Sequence, residues 1–169
     1  MTKLIIPKKS EYIGVKSSKI HNKGVFAKKD IPKGTSIIQY GGEKISKKEA
    51  LKRIYQVYDE AEKDSSKGEN YILDLDKKHD LDGDFPWNLA KYINHSCESN
   101  SELTDVDGEI WFVASKDIKK GEEILTNYGY GLEGHKEFPC KCGSKNCIGY
   151  MIAEEHWPKL NAARRTPKI

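Results

Sequence analysis

The sequence predicts a mostly β fold with short helices, closed near its C-terminus by a four-cysteine metal segment. Three observations predict it. Short apolar runs alternate with turn-forming residues through much of the chain. One stretch alone carries a sustained helical period, beginning at Ser46. Three of the four cysteines fall in Cys140-Lys141-Cys142-Gly143-Ser144-Lys145-Asn146-Cys147, a spacing that packing does not explain.

The strands come first. Val25-Phe26-Ala27 leads through Asp30-Ile31-Pro32-Lys33-Gly34 into Thr35-Ser36-Ile37-Ile38-Gln39-Tyr40. Ile110-Trp111-Phe112-Val113-Ala114 leads through Asp117-Ile118-Lys119-Lys120-Gly121 into Glu122-Glu123-Ile124-Leu125. Each unit reads as a strand, a tight turn ending in Gly, and another strand. One turn chemistry used twice explains the echo. Between them, Ser46 and Glu49 form a capping box. Ala50, Leu51, Ile54, Tyr55, Val57, Tyr58 and Ala61 follow at helical spacing, and Lys63 to Gly68 ends the helix in polar residues. A second, shorter helix is predicted over Trp87 to Ile93. Tyr128-Gly129-Tyr130-Gly131 opens a loop toward the cysteines.

Cys97 is the remaining thiol, in the polar stretch Asn94-His95-Ser96-Cys97. Four thiolates are a common set for structural zinc. Two disulfides are the alternative in a secreted chain, and free thiols a third. Met1 to Lys9 holds only a short apolar run, below the length of a signal peptide, so an intracellular location with reduced thiols is expected. His95, His135 and His156 are alternatives to Cys97 as fourth ligand.

The 169 residues suit one domain with a real core. A charged fraction of 33% and a net charge of +3 describe a soluble, lysine-rich surface, too weakly basic to argue for nucleic-acid binding. No apolar run is long enough to cross a membrane as a helix. Asp74, Asp76, Asp80, Asp82 and Asp84 invite a calcium reading. That reading fails, because Phe85 stands where the turn Gly belongs and Lys91 where the bidentate Glu belongs. A solvated strand edge explains them, with attraction of a basic substrate as a secondary use.

Five stretches, in order, resemble one family. His21-Asn22-Lys23-Gly24-Val25-Phe26-Ala27 and Tyr40-Gly41-Gly42-Glu43-Lys44-Ile45-Ser46 resemble the first motifs of SET-domain protein lysine methyltransferases. Asn88 to Cys97 resembles their most diagnostic segment, and Gly121 to Tyr128 the motif ending in the catalytic tyrosine. The cysteine cluster resembles the post-SET segment, whose three thiols share zinc with the Cys of N-H-S-C. The resemblance runs from about residue 11 to 150. It implies small, mostly antiparallel sheets with a C-terminal pseudoknot that brings Asn94-His95 beside the strand leading to Tyr128. It divides the chain into an N-terminal segment (1–10), a SET domain (11–131, with a helical insert at 46–70), a post-SET zinc segment (132–152) and a tail (153–169).

The resemblance also implies the chemistry: methyl transfer from S-adenosylmethionine to a lysine amine. Such a site needs no protein nucleophile, and none is evident in the motifs. Tyr128 would orient the amine and, with Tyr71, act in catalysis. Lys23, Gly24, Tyr71, Asn94, His95 and Tyr128 would hold the cofactor, and Cys97, Cys140, Cys142 and Cys147 the zinc. Ile148, Tyr150 or Met151 would cover the adenine. The expected partner is a basic, lysine-bearing protein or peptide, a histone tail among the candidates, with no nucleic acid or membrane; the expected location is nuclear or chromatin-associated in a eukaryote, and otherwise cytoplasmic.

The sequence departs from the family at three positions. Trp87 replaces a usual Gly, Thr126 a frequent Phe or Tyr, and Asn127 a common Asp. Thr126 leaves the number of methyl groups added unreadable. Two competing classes remain: a catalytically silent SET module that binds peptides or partners, and a plain zinc-stabilised interaction domain. Cofactor binding separates the last from the others, and methyl transfer separates the first two.

Overall fold

A computed structural model describes residues 3–64 and 69–165. In chain order its elements are β1 (Lys3–Ile5), β2 (Ile13–Ser17), β3 (Lys23–Ala27), β4 (Ser36–Gln39), β5 (Gly42–Ser46), α1 (Lys47–Lys63), β6 (Ile72–Asp74) and β7 (His79–Asp82). Then come β8 (Asn94–His95), β9 (Ser101–Val106), β10 (Glu109–Ala114), β11 (Glu123–Thr126) and α2 (Trp157–Arg165). One sheet runs β1-β5-β7-β6, antiparallel throughout. The other runs β2-β3-β11-β9-β10-β4, with β8 pairing in parallel with β11. The mostly β expectation therefore holds. Asn94-His95 lies against Leu125-Thr126, beside the strand that delivers Tyr128.

The larger sheet carries the main core, in which Val25, Ile31, Ile37, Ile118 and Ile124 are at most 1% exposed. Each such side chain contributes about 1.5–3 kcal/mol by leaving water. The two Asp-Ile-x-Lys-Gly turns meet in this core. Ile31 and Ile118 exchange both backbone hydrogen bonds, at 2.8 and 2.9 Å. Lys33 N–H donates to the Asp117 carboxylate, and Lys120 N–H to that of Asp30, at 2.8 and 2.9 Å. Gly34 and Gly121, both with positive φ, donate to Ala114 O and Ala27 O, each at 2.8 Å. The echo is thus more than one turn used twice: the copies form a local two-fold pair, each closing the other.

α1 begins at the expected cap, with Glu49 N–H donating to Ser46 Oγ at 3.2 Å. The Glu49 carboxylate turns instead to Arg53, at 3.1 Å. The apolar stripe is mostly not core: only Ala50 is fully buried, while Leu51, Tyr55 and Tyr58 are 55%, 65% and 42% exposed. The helix rests on the small sheet largely through ion pairs, Arg53 with Glu43 and Asp82, and Lys47 with Asp74 and Asp80. Part of the polar stretch expected to end it, residues 65–68, lies outside the described residues, as do residues 166–169 of the tail.

The second helix is shorter than expected, a single 3-10 turn over Leu89–Tyr92. Asn88 explains the late start. Its fully buried side chain accepts from Gly41 N–H and donates to Gly83 O, tying two loops together rather than capping a helix. Trp87 stacks on Phe85 with ring centroids 4.8 Å apart. The acidic run is also accounted for: Asp76, Asp80, Asp82 and Asp84 pair with Lys44, Lys47, Arg53 and Lys91. A satellite core of Cys97, Ile148, Ile152 and Leu160 forms where the C-terminal segment returns to the domain.

Candidate active site

Two cavities meet between the sheets and the C-terminal segment. The larger, about 800 Å³, is lined by Lys23, Tyr71, Asn94, His95 and Tyr128 among others. These are five of the six residues expected to hold a cofactor. The smaller, about 110 Å³, is lined by Tyr40, Leu103, Phe112 and Thr126, and it shares Asn70, Tyr71, Lys91, Tyr128 and Tyr130 with the first. The shared residues are the wall between a broad cleft and a narrow, largely apolar channel.

Gly24, the sixth, does not line the cleft. A Cβ there would meet the Glu123 carboxylate at 2.2 Å and Ser18 at 2.9 Å. A side chain at this position would displace the Glu123 carboxylate and crowd Ser18. Glu123 is the hub behind it, accepting from Ser18 Oγ at 3.0 Å and from Asn94 Nδ2 at 2.8 Å. Asn94 Nδ2 also donates to Lys23 O at 2.9 Å. Three of the expected residues, Lys23, Gly24 and Asn94, are thus locked together by a carboxylate that the sequence reading left out.

Tyr128 stands at the junction. Its hydroxyl donates to Ile93 O at 3.1 Å, and its N–H donates to His95 Nδ1 at 3.1 Å. Although the residue is 38% exposed to the cleft, desolvation by the surrounding protein raises its phenol above the ordinary range, so it stays protonated at neutral pH. Burial also lowers His95, to about 4. A neutral imidazole is what an accepting Nδ1 requires, which leaves the proton on Nε2. That Nε2 lies 3.7 Å from Cys97 Sγ. One ring therefore spans from the cysteine cluster to the backbone of Tyr128.

Tyr71 is held from both ends. Its carbonyl accepts from Tyr40 Oη at 2.6 Å and from Gly83 N–H at 2.9 Å, and its hydroxyl donates to Glu69. Glu69 also pairs with His21 at 2.6 Å, joining the return of the helical insert to the turn before Lys23. Burial first, then the Glu69 carboxylate, raises the Tyr71 phenol. Lys91 lies 4.8 Å over the Tyr71 ring, its ammonium clamped by Asp84 at 2.8 Å. Of the three candidates to cover an adenine, Met151 lines the cleft, whereas Ile148 and Tyr150 turn into the satellite core.

The four thiols converge as expected. The Sγ atoms of Cys97, Cys140, Cys142 and Cys147 all lie within 4.8 Å of one another. Cys97 Sγ is 3.8 Å from Cys140 Sγ and 3.9 Å from Cys147 Sγ. A tetrahedron with metal–sulfur bonds of about 2.3 Å has edges of about 3.8 Å, so the donor set fits zinc. Backbone N–H groups of Cys142 and Gly149 point at Cys140 Sγ and Cys147 Sγ, each at 3.4 Å, as suits thiolates. Burial opposes ionisation at Cys142, but hydrogen bonds from Ser144 and its neighbours outweigh it, and the thiol falls to about 6. Burial holds Cys97 up at about 11, and a bound metal would override that cost. Of the alternative fourth ligands, His135 spends Nδ1 on Leu132 O at 2.8 Å, and His95 sits behind Cys97.

Comparison with known proteins agrees with this geometry. The family model "SET domain" matches residues 22–129. The chain is 37% identical over 146 residues to "Histone-lysine N-methyltransferase trithorax" of Drosophila virilis, covering 83% of this chain and 4% of that protein. It is 37% identical over 136 residues to "Variant-silencing SET domain-containing protein" of Plasmodium falciparum, covering 78% and 5%. It is 34% identical over 138 residues to "Histone-lysine N-methyltransferase, H3 lysine-4 specific" of Schizosaccharomyces pombe, covering 79% and 14%. The chain thus spans only a small part of these relatives' lengths. Among the described residues no helix is long and apolar enough to cross a membrane. With the matched model covering well over half of its length, the chain belongs to the SET-domain family.

Proposed function

We propose that this chain transfers a methyl group from S-adenosylmethionine to the side-chain amine of a lysine in a protein, a histone tail being the first substrate to try. The observation that carries this reading is the meeting of a broad cleft and a narrow channel at Tyr71 and Tyr128. The cleft is in the volume range of small-molecule sites. Asn94, His95 and Lys23 would hold the cofactor there, with Met151 over its base. The cofactor, when bound, supplies an activated methyl sulfonium.

The chain's own residues do the rest. The apolar channel disfavours an ammonium and so lowers the pKa of an entering amine, which free in water is about 10.4. The Tyr128 hydroxyl, kept protonated, orients that amine at the wall between the cavities. Tyr71, fixed by Glu69 and Tyr40, closes the wall from the other side. The four cysteines hold structural zinc, and no thiol is left over for covalent chemistry. A nuclear or chromatin location follows from a histone substrate.

The reading is tested by incubating the chain with labelled cofactor and histone octamers or lysine peptides. Label on lysine is the expected result. Cofactor binding by calorimetry without transfer to any lysine substrate would instead assign a silent SET module.

Thr126 then sets product degree. It is 2% exposed and lines the channel. A Thr leaves room for an amine that already carries methyl groups. Thr126→Tyr is expected to shift mass-spectrometric product distributions toward monomethyl-lysine. An unchanged distribution would remove Thr126 from that role.

A further inference from the structure

A carboxylate stands behind the wall between the two cavities. Glu69 lines the larger cavity and holds two groups at once. One of its oxygens accepts from the Tyr71 hydroxyl, and the other meets His21 Nε2 at 2.6 Å. Burial opposes its charge, but hydrogen bonds from Tyr71 and His21 outweigh that cost and hold the carboxyl below its ordinary range. Glu69 is therefore charged at neutral pH. The charge is felt at both tyrosines of the wall. It raises the Tyr71 phenol, second to desolvation, and the Tyr128 phenol, after desolvation and Tyr130.

The neighbouring charges do not cancel it. Lys91 lies 4.8 Å over the Tyr71 ring and 5.3 Å over the Tyr92 ring, but Asp84 clamps its ammonium at 2.8 Å. Lys23 lies over the Tyr92 ring, at 5.0 Å. Tyr40, on the Tyr71 carbonyl, is a buried phenol pushed above its ordinary range and stays neutral. His21 is the remaining group on the carboxylate, and it carries a charge only when protonated.

Both hydroxyl hydrogens at the wall are committed to the protein. Tyr71 gives its hydrogen to Glu69, and Tyr128 gives its own to Ile93 O at 3.1 Å. Each oxygen keeps lone pairs and meets a substrate as an acceptor. A neutral primary amine has two N–H groups to donate and one lone pair to aim, so two accepting oxygens match it. They differ in what stands behind them. Ile93 O is neutral, whereas Glu69 is an anion. Hydrogen bonds in a chain polarise one another, so a phenol that donates to a carboxylate is the stronger acceptor.

We propose that Glu69 is a positioning residue for methyl transfer, acting through the Tyr71 oxygen to stabilise the positive charge that arrives on the lysine nitrogen. The proposal rests on the methyltransferase reading above and adds an electrostatic contributor to it. The substrate ammonium first gives a proton to water. The nitrogen lone pair then forms the N–C bond while the S–C bond breaks and leaves its electron pair on sulfur. One unit of positive charge thus passes from sulfur to nitrogen. A carboxylate one hydroxyl away from the nitrogen favours the end of that passage. It also favours the ammonium over the amine before the reaction. The first effect raises the rate of the neutral amine, and the second raises the pH at which that amine forms.

The test is Glu69→Gln, which removes the charge and keeps polar atoms for Tyr71 and His21. Single-turnover rates on a lysine peptide are read across pH with cofactor saturating. The variant is expected to reach a plateau about tenfold lower, with its midpoint moved to lower pH by about half to one unit. A tie that only holds the insert in place lowers the plateau and leaves the midpoint where it is, and that result overturns the proposal. The second readout needs no turnover. A peptide with carbon-labelled lysine is titrated by NMR on the chain loaded with the demethylated cofactor, and the amine pKa is expected to fall in Glu69→Gln by the same amount. In a Tyr71→Phe background the Glu69→Gln change is expected to be silent, because the link is gone. A full effect there overturns the route through Tyr71. In a His21→Gln background the midpoint difference is expected to persist; its disappearance assigns the titration to His21 and overturns the proposal. Loss of cofactor binding by Glu69→Gln in calorimetry makes Glu69 a structural tie and overturns it as well. A wild type that binds cofactor and methylates no lysine overturns the methyltransferase reading, and this proposal with it.

Discussion

Tyr128→Phe is expected to lower kcat by about tenfold or more while leaving cofactor affinity within about twofold, since tenfold corresponds to about 1.4 kcal/mol of lost transition-state stabilisation. The substitution removes one oxygen and little else. The ring would keep its edge contact with His95, at 5.4 Å, and its contact with Tyr130, at 5.8 Å. The backbone bond from Tyr128 N–H to His95 Nδ1 does not involve the hydroxyl. The lost hydrogen bond to Ile93 O costs about 1 kcal/mol of stability, too little to unfold the domain. What disappears is the one polar atom of Tyr128 that can orient an amine and receive weak C–H···O contacts from a methyl group. Because burial raises this phenol, its ionisation does not shape the rate near neutral pH. Calorimetry for the cofactor and single-turnover rates for a lysine peptide separate the two effects. Near-wild-type turnover would remove Tyr128 from the role.

Much of this site was legible because the sequence concentrates it. Asn94, His95 and Cys97 sit in one short segment, Tyr128 ends another, and three cysteines crowd a third. What local pattern could not show was pairing at a distance. The two Asp-Ile-x-Lys-Gly turns look like repetition, yet each supplies the carboxylate that the other's backbone needs. The sign was present: an Asp at the same place in both copies, each free to satisfy an N–H outside its own turn. Glu123 and Glu69 were missed for the same reason. Their roles come from Asn94, Ser18, His21 and Tyr71, partners far away in the chain. Asp107-Gly108 is a local signal of another kind. Both residues have positive φ and join β9 to β10 in a two-residue hairpin, as an Asp-Gly pair favours.

Helix α1 shows a different limit. Its period identified a helix correctly, but apolar spacing does not say which apolar residues find a neighbour. Here Arg53 and Lys47 fasten the helix to the small sheet through Glu43, Asp80 and Asp82, so a stripe of aromatic residues is left outside. At Gly24 the residue was singled out and its packing reason was not. A positive-φ or ligand-contact argument suggests itself for any motif glycine, whereas here the cause is the Glu123 carboxylate 2.2 Å from where a Cβ would sit. Thr126 and Asn127, departures from the family, are likewise explained only in part. Asn127 Oδ1 accepts from Gly129 N–H, but its buried Nδ2 has no partner among the described residues, and nothing in the structure explains that.

Removing the metal, by chelation or by Cys97→Ser, is expected to abolish turnover and expose the chain beyond about residue 139 to protease, with residues up to Thr126 still folded. The satellite core that would remain is small: Ile148, Ile152 and Leu160 with the cysteines themselves and the partly buried Leu132, Tyr150 and Trp157. A handful of backbone bonds, such as Ala153 N–H to Tyr130 O at 2.9 Å, join this segment to the domain. Structural zinc in small sites contributes folding energy outright, and so few contacts do not replace it. The main core contains none of the four cysteines and keeps the sheets. The effect on turnover runs through His95. Its Nε2 faces Cys97 Sγ, and its Nδ1 accepts from Tyr128 N–H, so a thiolate held on a metal would fix the ring that fixes the tyrosine. Met151, which lines the cleft from the same segment, is lost with it. Limited proteolysis with mass spectrometry, before and after chelation and after zinc is restored, gives the readout. Cleavage sites confined to the C-terminal segment and turnover recovered with zinc are the expected result; a digestion pattern indifferent to the chelator would show that this segment holds itself in place.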